Sequence, residues 1–168
     1  MKNFGYMKSP LGILKISCDK DSVTKIQVLD DCCQGFLIKN TSHEESPVIQ
    51  LAKEELNRYF SGVLNVFTVK LNPNGTEFQK KVWGELLKIP YGKTICYEEL
   101  AIRIGKPTAA RAVGNANGKN PIPIIIPCHR VIAKNGSCGG YALGSDLKKF
   151  LLDLEKEFSK QLNFNLKE

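Results

Sequence analysis

Cys128 stands between Pro127 and His129 at the end of the run Asn120-Pro121-Ile122-Pro123-Ile124-Ile125-Ile126-Pro127-Cys128-His129-Arg130-Val131. Thiolate is the nucleophilic form of cysteine, and a basic or cationic neighbour favours it. A free cysteine is also a common small core hydrophobe, so local chemistry leaves a placed nucleophile and a packing residue both open. Three prolines between Asn120 and Pro127 exclude a helix and a central strand. The four isoleucines nevertheless call for burial. The expected element is an extended, stiff, buried connection that delivers Cys128 to one fixed place.

Charge points to a polyanionic partner. The 168 residues carry a net charge of +7, distributed unevenly. Residues 1–71 hold nine basic and eight acidic side chains, and residues 72–168 hold fifteen and nine. From Leu100 to Gly140 there is no Asp or Glu, while Arg103, Lys106, Arg111, Lys119, Arg130 and Lys134 all lie there. Such a segment suits a surface facing phosphates, or a solvated basic face; the candidate nucleophile within it favours the former.

Other classes lose support. The six cysteines, Cys18, Cys32, Cys33, Cys96, Cys128 and Cys138, show no CxxC and no scaffold spacing, and the two histidines are His43 and His129. Reduced thiols are expected, without a metal site. No apolar run approaches the roughly 18 residues of a membrane span, and no signal sequence is apparent. A soluble chain without membrane attachment is expected, cytoplasmic, or nuclear in a eukaryote.

The elements that position these residues divide at Asn72-Pro73-Asn74-Gly75. The fold class expected is α+β: a sheet-plus-helix domain over 1–73, a mainly helical domain over 74–158 and a loose tail over 159–168. Strands are expected over Phe4–Lys8, Ile13–Cys18, Val23–Leu29 and Phe67–Leu71, with turn compositions between the first three. Ser46-Pro47 opens a helix as N-cap and first-turn proline, and Ser61-Gly62 ends it. Thr76-Glu77-Phe78-Gln79 has the capping-box pattern. Helices over Tyr97–Ile104 and Thr108–Asn117, joined by Gly105-Lys106-Pro107, read as a helix-turn-helix, with Thr108 as N-cap. The second helix is almost bare: Ala109, Ala110, Ala112, Gly114, Ala116 and Gly118 leave Arg111 as the large side chain of its first turns. A slim helix with one arginine suits close approach to a narrow groove; a tightly packed core helix has the same composition. Leu147, Phe150, Leu151, Leu154 and Phe158 mark an amphipathic helix, with Glu155 at the edge of its apolar face.

Pro127-Cys128-His129-Arg130-Val131, Ile89-Pro90-Tyr91-Gly92, Tyr97-Glu98-Glu99-Leu100-Ala101, Ala109-Ala110-Arg111-Ala112-Val113-Gly114, Asn120-Pro121 and Gly139-Gly140-Tyr141 occur in one order and at characteristic spacing. In this the chain resembles the O6-alkylguanine-DNA alkyltransferases, or methylated-DNA–protein-cysteine methyltransferases, strongly from about Thr76 to Leu154. The resemblance implies DNA repair by single-turnover transfer of an alkyl group from O6 of guanine, and possibly O4 of thymine, to Cys128. It implies a helix-turn-helix of winged-helix type and a monomer. It also implies double-stranded DNA bound through the minor groove with the alkylated base flipped out, and no cofactor.

The same resemblance assigns roles. His129 is the base for Cys128, acting through water and held by Glu155. Tyr97 matches the proton donor to the departing guanine, and Asn120 the residue bracing the active-site turn. Arg111 matches the arginine that enters the base stack, with Thr108, Ala109 and Gly114 beside it at the DNA. Lys106 and Lys134 are candidate phosphate contacts. Val131, Tyr141, Ala142 and Leu143, with Tyr97, are expected to line the base pocket.

Three features depart from the family pattern. Cys96 replaces a common Ser before the tyrosine helix, giving a weaker cap. Ala142-Leu143-Gly144 replaces Ser-Gly-Gly of the human-like branch, so Leu143 is expected to narrow the pocket against benzyl groups. The Cys/His set that binds zinc in some relatives is missing. Three rival classes remain: a non-catalytic lesion binder, which would carry Trp for Cys128; a helix-turn-helix regulator, which needs no Pro-Cys-His turn; and a cysteine hydrolase, which needs an oxyanion hole.

Overall fold

Turn residues cut the start of the chain into an antiparallel meander, β1 (Phe4–Ser9), β2 (Gly12–Cys18) and β3 (Val23–Leu29). The computed structural model describes residues 3–29, 45–136 and 144–165. Two compact units appear, Met1–Asn74 and Gly75–Glu168. In the first, Gly12 takes φ 102° at the β1–β2 turn, a conformation natural only to glycine. A register shift at Ser17/Cys18 bends β2 against β3. Helix α1 (Pro47–Phe60) packs on the sheet, burying Ile49, Ala52, Leu56 and Tyr59 with Leu14, Ile16, Val23 and Ile26. Ser46 caps it, accepting from the Ile49 amide, and Pro47 sits in its first turn.

The strand expected over Phe67–Leu71 is absent; only Leu71 pairs, as an isolated bridge to Val23. The buried carboxylate of Glu55 explains this. It accepts the backbone N–H groups of Thr68 and Val69 and the Thr68 hydroxyl, so these amides cannot join a ladder.

The second unit opens with α2 (Glu77–Leu86), started by a complete capping box: Thr76 accepts from the Gln79 amide and Gln79 from the Thr76 amide. Val82, Trp83 and Leu86 form its buried face. The chain continues through β4 (Ile95–Cys96), α3 (Tyr97–Arg103), α4 (Ala110–Gly118), a 3-10 turn over Cys128–Arg130, β5 (Val131–Ile132) and α5 (Ser145–Asn165). β4 and β5 pair in parallel. Helix α3 ends in a Schellman motif: Gly105, at φ 75°, donates to Ile102, and Lys106 donates to Ala101. α3 and α4 pack on each other and on α2, and Trp83 Nε1–H donates to the Ala116 carbonyl at 2.9 Å.

Three local expectations are corrected. Thr108 does not cap α4: the Ala109 amide turns back to the Lys106 carbonyl, so the helix starts later, with Ala109 at the cap and no side-chain cap bond. The last helix does not fray at 159 but runs to Asn165. The run before Cys128 is buried but folded rather than extended. The Ile126 amide reaches the Ile122 carbonyl at 3.0 Å, and Ile124 has φ 77°, a rare conformation for a β-branched residue. Cys32, Cys33, His43, Cys138, Tyr141, Ala142 and Leu143 lie outside the described residues.

Candidate active site

Asn120 closes the tight loop that ends in Cys128. Its Oδ1 accepts the Ile122 amide at 3.0 Å, and its Nδ2 donates to the Ile126 carbonyl at 2.8 Å and to Cys128 Sγ at 3.0 Å. One side chain thus pins both ends of the proline-rich loop and contacts the sulfur. Pro127 (φ −82°, ψ 62°) forms an inverse γ-turn, with the Cys128 amide on the Ile126 carbonyl at 2.8 Å. The chain then enters the 3-10 turn, so adjacent Cys128 and His129 are not on opposite faces of a strand. Both are buried, at 2% and 0% exposure. A donor aimed at sulfur favours thiolate over thiol.

Glu155, on α5 and 1% exposed, is the second focus. His129 Nε2 lies 2.8 Å from its Oε1. Arg130 donates through Nε to Oε2 at 2.9 Å and through Nη2 to Oε1 at 2.9 Å, a bidentate grip. The Gly92 amide donates to Oε2 at 2.9 Å. Burial alone would raise this carboxyl; the hydrogen bond from His129 and the bonds and charge of Arg130 outweigh it and hold the pKa at about 2. An ionised carboxylate only accepts, so His129 carries its hydrogen on Nε2 and leaves Nδ1 unprotonated. That Nδ1 is buried and has no hydrogen-bond partner among the described residues. Burial lowers the His129 pKa, offset in part by Glu155, so the imidazole is neutral and basic at Nδ1.

The shell around this pair is made from local turns. Arg130 Nη1 donates to the Ile89 carbonyl at 2.6 Å, and its guanidinium lies 5.6 Å from the Tyr91 ring centre. Burial and the Glu155 charge push Tyr91 up to about 12. Gly92 takes φ 69°, and a Cβ there would strike Ser159 and approach the Glu155 backbone carbonyl at 3.3 Å. Glycine is therefore required where the chain passes against α5.

Tyr97 opens α3 half-buried, with its pKa raised first by burial and then by the charge of Cys128. Cys96 caps this helix through sulfur, a weak acceptor, at 3.4 Å from the Glu99 amide. Gly114 of α4 lies against the Tyr97 ring, 3.7 Å from the position of a Cβ. Arg111 is exposed in the first turn of α4, and Thr108 and Lys106 are exposed just before it. The Lys106 ammonium rests 5.4 Å from the Phe78 ring centre. Val131 is fully buried in β5, its carbonyl accepting from Lys148 Nζ at 2.6 Å. Lys134 is exposed in the turn after β5. The structure therefore brings Cys128, His129, Asn120 and Glu155 together.

Residues 77–157 match the model of the 6-O-methylguanine DNA methyltransferase DNA-binding domain, and residues 3–73 that of the ribonuclease-like domain of the same methyltransferases. The chain belongs to the 6-O-methylguanine DNA methyltransferase family. It is 44% identical over 152 residues to a methylated-DNA–protein-cysteine methyltransferase of Methanosarcina acetivorans, covering 90% of this chain and 97% of the relative. It is 41% identical over 160 residues to the constitutive enzyme of Bacillus subtilis, covering 93% and 96%. The Mycobacterium tuberculosis O6-methylguanine methyltransferase superposes with a TM-score of 0.80 at 41% identity, covering 94% of each chain. The same holds for the M. tuberculosis protein in complex with DNA, at TM-score 0.80 and 43% identity, covering 92% and 93%. As a methyltransferase of this family, the chain is a DNA-binding repair protein that transfers an alkyl group from DNA to cysteine.

Sequence reasoning missed three residues of this methyltransferase site. Arg130 enters the sequence reading as a charge and a motif residue, without a partner; the carboxylate it grips lies 25 residues away. Lys148 is fully buried on α5, its ammonium on the Val131 carbonyl, and no sequence pattern singles it out. Asn117, whose Nδ2 donates to the Cys128 carbonyl at 3.2 Å, had no signal beyond its place on a small-residue helix.

Proposed function

We propose that Cys128 is the alkyl acceptor. The observation that carries this is the Asn120 donor aimed at the Cys128 sulfur inside a loop of fixed shape. His129 Nδ1 takes the thiol proton, with one water as relay, and Glu155 holds the imidazole in the tautomer that allows it. The thiolate attacks the alkyl carbon on guanine O6 in line. A carbon–sulfur bond forms, the carbon–O6 bond breaks, and its electron pair stays on guanine. Tyr97, kept protonated by burial, gives its hydrogen to the departing base and recovers one from the imidazolium through solvent. Thioether and unmodified guanine result, and each chain acts once.

A carbon on a stacked base is closed to in-line attack by a protein sulfur, so the base must leave the duplex. Helix α4 supports a minor-groove approach: small residues bring its backbone close, and exposed Arg111 is available to fill the stack. Thr108, Ala109 and Gly114 flank it there, and Lys106 and Lys134 serve phosphates. Val131 serves the base pocket beside Tyr97. We read the working form as a monomer.

The test is a titration with duplex DNA carrying O6-methylguanine labelled in the methyl group. One label per chain, with restored guanine, is expected. A bound but unchanged lesion would mean a non-catalytic binder, and repeated turnover would exclude the single-use thiol.

A further inference from the structure

Helix α4 ends against the nucleophile through Asn117. This side chain is 2% exposed, and its Nδ2 donates to the Cys128 carbonyl at 3.2 Å. Its own backbone carbonyl accepts the Asn120 amide at 3.3 Å. Asn117 therefore holds the main chain of both partners in the 3.0 Å contact from Asn120 Nδ2 to Cys128 Sγ. The preceding carbonyl, of Ala116, is held by Trp83 Nε1 at 2.9 Å, which anchors this end of α4 to α2.

The arrangement carries a cost. Asn117 Oδ1 is buried and has no hydrogen-bond partner among the described residues. Unsatisfied buried acceptors are destabilising, and an apolar side chain of the same volume would avoid the penalty. Fold stability alone therefore does not account for a carboxamide here.

We infer that Asn117 is a positioning residue for the transfer reaction: it fixes the Cys128 carbonyl and the Asn120 backbone together, and so holds the thiolate on the Asn120 donor. The inference rests on the reading of Cys128 as acceptor. Asn117 touches neither the alkyl group nor the sulfur; its side chain acts through the main chain of Cys128. Without it the turn relaxes, the donor–sulfur contact lengthens, and the thiolate loses part of its stabilisation. Misplacement of a reacting group by about 1 Å costs up to roughly a hundredfold in rate.

Asn117→Leu removes the carboxamide at similar volume, and Asn117→Ala is a second variant if leucine does not fit. Both are assayed for methyl transfer from duplex O6-methylguanine and from free O6-methylguanine, for DNA affinity, and for reaction of the thiol with iodoacetamide across pH. The expected result is a loss of about ten- to hundredfold in transfer from both substrates, with DNA affinity unchanged. The iodoacetamide profile moves to higher pH by about half a unit or more. Wild-type transfer in either folded variant overturns the inference, as does slow transfer with an unmoved pH profile. Peptide mapping of the wild type separates the two readings: methyl away from Cys128 overturns both, whereas methyl on Cys128 with an unmoved profile removes the role of Asn117 alone.

Discussion

His129 Nε2 and Glu155 Oε1 lie 2.8 Å apart where both side chains are sealed from solvent, and Arg130 binds the same carboxylate through two nitrogens. The ion pair neutralises Glu155, so the carboxylate directs the imidazole without charging it. A buried pair of this kind is costly to break from one side, by about 3–5 kcal/mol. Glu155→Ala therefore leaves Arg130 uncompensated and destabilises the C-terminal unit by that order, which urea melts measure.

The same pair sets a pH dependence. The His129 pKa is lowered in the folded state from 6.5, and that of Glu155 from 4.5 to about 2. Groups depressed by folding stabilise the protein above their unfolded pKa and cease to do so as pH falls. Stability is thus expected to decline below pH 6.5 through His129 and more steeply below 4.5 through Glu155, the latter worth about 3 kcal/mol. Urea melts between pH 8 and 3 test this; a flat profile down to pH 4 contradicts it.

Tyr97 is half-buried, and burial together with the Cys128 charge keeps its phenol protonated. Tyr97→Phe should slow transfer by about a hundredfold, the lower range for a lost general acid. Binding to lesion DNA should remain. Wild-type transfer by the phenylalanine variant removes the proton-donor role.

Much of this was legible in the sequence, where local signals decide structure. Ser46-Pro47 and the Thr76–Gln79 box start helices because capping is settled within four residues. What escaped depends on distant partners. Phe67–Leu71 has strand composition, but Glu55 takes its amides. Thr108 has capping chemistry, but the Lys106 turn delays the helix. In the site, Cys128 and His129 stood out by adjacency. Arg130 and Asn117 did not, because their meaning comes from a carboxylate on α5 and a carbonyl on the nucleophile turn.

Arg111 is exposed at the start of α4. If it fills the base stack, Arg111→Ala should slow repair of duplex DNA much more than transfer from a free alkylated base, because only the duplex requires extrusion. Equal losses on both substrates would make Arg111 a residue of the fold.

Ile124 has φ 77° within the loop that Asn120 closes. Its neighbour in the loop, Ile122, is equally buried and does not take a left-handed φ. Both lose packing on substitution by glycine, but only Ile124→Gly relieves backbone strain, worth about 1–3 kcal/mol. Ile124→Gly should therefore destabilise less than Ile122→Gly by that margin. Equal losses in denaturant melts would contradict it.

The most direct measurement is the location of the transferred group. After reaction with duplex O6-methylguanine, the protein is digested and its peptides weighed by mass spectrometry, with Cys128→Ala treated in parallel. The account predicts one added methyl, on the peptide containing Cys128, and no repair by the alanine variant. Methyl on Cys96 or Cys138, or full repair without Cys128, would contradict it.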